Sequence, residues 1–141
     1  MTTTLLLAIL IVAALGATAI VLRRHRARPK PLTAHDKSLV HVKWHEIEQR
    51  LQKGGPTQFR QAVIEADNLV DYVMKKLSIE GETMGERLRS GQAWFSDYDG
   101  LWKAHKVRNQ IVHELDKEVI SFEAKQQIKR FRTALEDLGA L

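Results

Sequence analysis

TQFRQAVIEADNLVDYVMKKL, residues 57–77, decides the fold. Its apolar members are Phe59, Ala62, Val63, Ala66, Leu69, Val70, Val73, Met74 and Leu77. At about 100° per residue they fill one arc of roughly 140°, the pattern of a helix with a single buried face. No stretch elsewhere keeps the two-residue alternation of a strand, so the chain reads as all-α. Thr57 is placed to cap this helix, and Gly54-Gly55-Pro56 divides it from an earlier helix over Thr33 or Ala34 to Lys53. On the other side Gly81 breaks the chain, and Glu82 to Leu88 suits a short helix before Ser90 and Gly91. Asp97 or Asp99 can cap the next helix, which continues to about Leu115. Ser121 caps the last one, with Phe122, Ile128, Phe131, Leu135 and Leu138 expected to face inward. The expectation is a small four- or five-helix bundle with short connections.

Composition bounds what this bundle can do. The chain has 141 residues, 44% hydrophobic and 28% charged, with an uneven apolar share. LLLAILIVAALGATAIVL, residues 5–22, has no charge and would extend about 27 Å as a helix, close to the thickness of a hydrocarbon core. A transmembrane anchor over residues 1–22 is the expectation; a cleaved signal peptide and a buried core helix are the alternatives. Signal peptides carry positive charge before the apolar run, and Met1 to Thr4 has no charged side chain. Arg23, Arg24, Arg26, Arg28 and Lys30 come after it instead, which predicts a lipid bilayer as partner and a cytoplasmic C-terminal side. Pro29 and Pro31 make residues 23–33 a stiff juxtamembrane linker, leaving 34–141 as the folded domain. Those five cations account for the whole formal charge of +5, so the domain itself is near neutral. Charge alone therefore makes no case for an extended nucleic-acid surface. The absence of cysteine excludes disulfides and thiolate metal sites.

WKAHKVRNQIVHE, residues 102–114, carries the functional reading. On the helix from Tyr98 to Leu115 the apolar arc holds Leu101, Ala104, Ile111, Val112 and Leu115, and Arg108 falls about 10° from its centre. An arginine there is costly unless it is paired or lies at an interface. Tyr98, Trp102, Asn109 and His113 make a second face, about 60–120° round from Leu101. A helix with two faces to satisfy favours self-association into a homodimer. The structural alternative pairs Arg108 with Glu65 or Asp67 and leaves His113 on the surface. His105, one turn before Asn109, either joins the cleft or lies in the core.

Four residues separate Arg108 from His113, and a polar residue follows the arginine directly. That spacing, on a late helix of a small bundle, resembles the Arg-x4–6-His motif of HEPN domains, over about residues 57–138. The resemblance implies a metal-independent RNA-cleaving site, usually formed where two subunits meet. By that analogy His113 is the general acid/base at the ribose 2′-hydroxyl or the leaving 5′-oxygen, and Arg108 holds the scissile phosphate. Asn109 would orient the histidine or donate to phosphate, with Glu65, Asp67 and His105 as supporting positions. The chemistry suits the types: an imidazole titrates near neutrality and a guanidinium stays charged. No cofactor or metal is expected, and RNA or a nucleotide is the partner implied. HepT-type toxins carry a modifiable tyrosine two residues after the histidine; here that position is Leu115. The competing expectation is a non-catalytic HEPN-like module that dimerises or binds a nucleotide or protein.

Other residues weigh less. His41 and His45 have metal-compatible spacing, but Val42 stands where a zinc protease needs glutamate. Arg87 and Arg89 could face a phosphate, although a solvated helix face is the simpler role. Trp94, Phe95 and Tyr98 read as packing for the linker between helices.

Overall fold

The computed structural model describes residues 30–114 and 116–141. Among them are five α-helices and no strand: α1 (Ala34–Lys53), α2 (Pro56–Lys76), α3 (Met84–Ser90), α4 (Tyr98–His113) and α5 (Ser121–Asp137). The fold expectation needs one correction. The bundle is all-α, but no helix among the described residues is long and apolar enough to cross a membrane. Of the two helices of 20 residues or more, α1 and α2, each carries charges round its outer side and turns most of its apolar residues to the core, with Val42 of α1 exposed. The run 5–22, on which the transmembrane expectation rested, lies outside the described residues, as does most of the linker up to residue 29.

α2 is the centre of the bundle, packed against α1, α4 and α5. All nine apolar residues of its predicted arc are buried. Across from them lie Val40, Trp44 and Ile47 of α1, Leu101, Ala104 and Ile111 of α4, and Ile128, Phe131 and Leu135 of α5. Each large aliphatic or aromatic side chain so buried contributes about 1.5–3 kcal/mol. Asp67, about 20° beyond Met74 at the edge of that arc, is buried with it.

Three helix starts differ from expectation, each for a local reason. α2 begins at Pro56, whose missing N–H costs nothing in the first turn, so Thr57 is already helical and caps nothing. Gly55 precedes it at φ 91°, a conformation that favours glycine. α5 starts at Ser121 after an extended Ile120, with no side-chain cap. Phe122, about 120° round α5 from Ile128, points outward at 73% exposed, and Ala124 and Gln127 take the inward positions instead. α3 starts two residues late because Thr83 and Glu86 form a capping box. α4 ends at His113; Leu115, its expected end, lies outside the described residues.

Another capping box, Thr33 with Asp36, opens α1. The Thr33 hydroxyl lies 2.6 Å from the Asp36 carboxylate, Lys76 Nζ 3.1 Å and the Tyr72 hydroxyl 3.0 Å. These donors, Thr33 foremost, hold the Asp36 carboxyl well below the usual carboxylate range. A depressed folded-state value gives stabilisation that is complete above the unfolded value and fades as pH falls through the folded one. The melting temperature should therefore drop between about pH 4 and pH 2, and the drop should be shallower in Asp36→Asn. Parallel curves for the two proteins would show that Asp36 does not carry the effect.

Candidate functional site

The site forms where α2 lies against α4. The Asp97 carboxylate accepts from the Gly100 amide at 2.9 Å and starts α4. A Cβ at residue 100 would overlap that carboxylate where it now lies, and the Asp97 side chain would have to shift. At the other end, the Arg60 guanidinium donates to the carbonyls of Ile111 and Lys117. It thereby satisfies a C-terminal carbonyl of α4 and fixes the turn that carries His113.

Between these ends, Asp67 reaches α4 with its side chain only 2% exposed. Its Oδ1 is 2.9 Å from His105 Nδ1, and its Oδ2 is 3.3 Å from Arg108 Nε. The second contact is an ion pair without hydrogen-bond alignment, and the buried Nε has no other acceptor. His105 Nε2 lies 3.3 Å from the Asn109 amide nitrogen, and Asn109 Oδ1 accepts from Arg108 Nη1 at 3.1 Å. Asp67, His105, Asn109 and Arg108 thus close a ring. An ionised carboxylate only accepts, so the network places the His105 hydrogen on Nδ1 and leaves Nε2 to accept from Asn109. Burial pushes the Asp67 carboxyl above its ordinary range, against the opposing pull of His105 and Arg108.

Arg108 is the member that leaves the ring for the surface. Its side chain is 25% exposed, and Nη2 donates to Asn68 Oδ1 at 3.2 Å. Both terminal nitrogens therefore rest on neutral amides. Charged acceptors make hydrogen bonds about twice as strong as neutral ones, so an arriving phosphate could displace either amide. His113 is exposed in the last turn, and among the described residues none hydrogen-bonds its ring. It stands one turn beyond Asn109 on the same side of α4, and about 140° round the helix from Arg108.

Of the residues singled out from sequence, Arg108 and Asn109 touch, and Asp67 and His105 join them. His113 is not joined to that group. Glu65 is elsewhere, 2.8 Å from Arg50 Nε on α1. Asn68 was missed, and so was the link from Asp67 to His105. The signal was present: Asp67 lies only about 20° beyond the edge of the α2 arc, where a burying acid needs a partner.

An aromatic row runs back from this ring. Trp102 lies 5.9 Å from His105 and 6.2 Å from Tyr98 between ring centroids, and the Arg89 guanidinium sits 5.3 Å from the Trp102 ring. Tyr98 thus belongs to this row, while Phe95 is buried and Trp94 packs against the core. Arg87 is buried in an ion pair with Asp71 and faces no solvent. His41 and His45 are exposed, and among the described residues no three groups gather to hold a metal. A groove of about 370 Å³ between α1 and α2 is lined by Leu39, Ile47, Leu69 and Tyr72 and ends at Asn68.

Compared with family models, curated proteins and solved structures, the chain matches none of them.

Proposed function

We propose that the bundle is a HEPN-like ribonuclease whose active site is completed by a second copy. The observation that carries this reading is the state of Arg108: anchored through Nε on Asp67, open to solvent, and holding only neutral amides at its two ends. A guanidinium so placed suits a phosphate. His113 supplies an unengaged imidazole on the same helix.

The reaction needs no external reagent. The ribose 2′-oxygen attacks the adjacent phosphorus, His113 takes the 2′-proton, and the bond from phosphorus to the 5′-oxygen breaks. The leaving 5′-oxygen takes a proton from water, His113 returns its own to solvent, and the products carry a 2′,3′-cyclic phosphate and a 5′-hydroxyl. Arg108 stabilises charge growing on the phosphate oxygens.

One copy does not converge on a single phosphate, because Arg108 and His113 diverge round α4. Apposing two α4 helices about a two-fold would bring His113 of one copy toward Arg108 of the other. Exposed Val112, Ile120 and Phe122 lie at or just beyond this end of α4 and offer apolar surface to such a contact. The fragment starting at Pro31 should therefore have a dimer's mass by light scattering at ~100 µM. It should also cut single-stranded RNA in EDTA. A monomer at that concentration, or intact RNA, contradicts the proposal.

The closed ring favours a second reading. Tying Asp67 to α4 gives Arg108 and His105 a structural role that needs no substrate, as in a non-catalytic module that dimerises or binds a nucleotide. RNA binding without cleavage would select it.

A further inference from the structure

Trp102 stands half-buried on the face of α4 that leads to Asn109 and His113, and it is steadied from several sides. Tyr98 stacks on it at an interplanar angle of 29°, and His105 meets it at 51°. Its edge rests against Gly85 of α3, where even a Cβ would come within 3.5 Å of the ring. Over the ring lies Arg89, one turn after Gly85, exposed and without an ion pair among the described residues. A flat cation already resting on an indole marks a surface that accepts a flat π partner, and an exposed arginine is easily moved.

The surroundings say which partner. Beside the ring stand Arg89 on α3, with Glu86 one turn before it, and Lys106, one turn after Trp102 on α4. Trp102 and Arg108 are six residues apart, about 9 Å along the helix axis. They lie about 120° apart round α4, so the guanidinium is on another face and is linked to the aromatic row only through His105 and Asn109. Stacking with flanking cations is how proteins hold single strands without reading their sequence. A duplex hides its base faces and cannot use it.

We propose that Trp102 is the platform for a base of single-stranded RNA, with Arg89 holding the adjoining phosphate. This subsite deepens the ribonuclease reading and rests on it for the choice of RNA.

The test uses the full chain carrying His113→Ala, so that the bound strand stays whole. Its affinity for a short fluorophore-labelled oligoadenylate is measured by anisotropy with EDTA present. Trp102→Leu added to this protein should weaken binding about tenfold or more, the usual reach of one base–aromatic stack. Trp102→Tyr, which keeps a flat face, should stay within about threefold. Arg89→Glu should also weaken binding, and a duplex of the same length should bind less tightly than the single strand. Should Trp102→Leu fail to fold, as its melting would reveal, Arg89→Glu and the tyrosine variant decide, since Arg89 is exposed. Equal affinities for parent, Trp102→Leu and Arg89→Glu overturn the subsite. Equal binding of duplex, no binding by the parent, or a Trp102→Leu effect confined to oligomeric mass overturn it as well. Wild-type cleavage with Trp102-independent binding removes the subsite and leaves the ribonuclease reading standing. Trp102-dependent binding by a wild type that cuts nothing does the reverse.

Discussion

His113→Ala should lose roughly 10²–10⁴-fold of the cleavage rate with little change in melting temperature, the usual reach of an acid–base group. The two halves of this expectation have separate causes. The imidazole is exposed and unbonded among the described residues, so truncating it removes no packing and leaves no buried partner unpaired. The backbone that carries it is held independently, by Arg60 on the carbonyls of Ile111 and Lys117. Stability is therefore expected to stay within about 0.5 kcal/mol of wild type, as for surface substitutions generally. A variant that cuts RNA at the wild-type rate would remove His113 from the mechanism. A large fall in melting temperature would instead place the side chain in the fold.

Asp67→Ala should do the opposite and strike the fold first. The carboxylate is almost wholly buried, bonded to His105 and paired with Arg108. Without it the His105 ring nitrogen loses its acceptor and the buried Arg108 Nε loses its counter-charge. Breaking a buried ion pair costs about 3–5 kcal/mol. Arg108 can still send its outer nitrogens to water, so about 3 kcal/mol is expected, or roughly 10–20 °C in melting temperature. Glu65→Ala is the contrast. Its pair with Arg50 is about one-third exposed, and its loss should cost under about 1 kcal/mol. Thermal melts of the two variants compare a buried acid with a half-exposed one two residues away on the same helix. Equal losses would contradict the ring as a structural unit.

The difference between these two acids also marks where sequence stopped being informative. The periodic arc of α2 was legible in full, because burial of one face is a property of a single helix. The break at Gly54 and Gly55, and the cap at Asp97, were legible for the same local reason. Phe122 was misread although its spacing was legible: it lies about 120–180° round α5 from Ile128, Phe131, Leu135 and Leu138, on the outer side. Arg108 was rightly marked as needing a partner, but Glu65 and Asp67 could not be separated by spacing. What separates them is the helix that each edge of the α2 arc meets: Asp67 reaches α4, whereas Glu65 reaches α1. The family resemblance assigned Asn109 to orient His113 or donate to phosphate. The Asn109 amide instead bridges His105 and Arg108, a choice made by Asp67 from 38 residues away in the chain.

The central claim is that one copy supplies Arg108 and another supplies His113. It is tested most directly by mixing two inactive full chains, Arg108→Gln and His113→Ala, after each has been checked for a wild-type melt. In a two-fold dimer of mixed chains one composite site loses both groups and the other keeps both, so a 1:1 mixture should recover about a quarter of wild-type cleavage. Recovery should grow as the chains exchange and vanish when either is omitted. A mixture as inactive as its two components, beside a wild type that cleaves, would contradict the two-copy site.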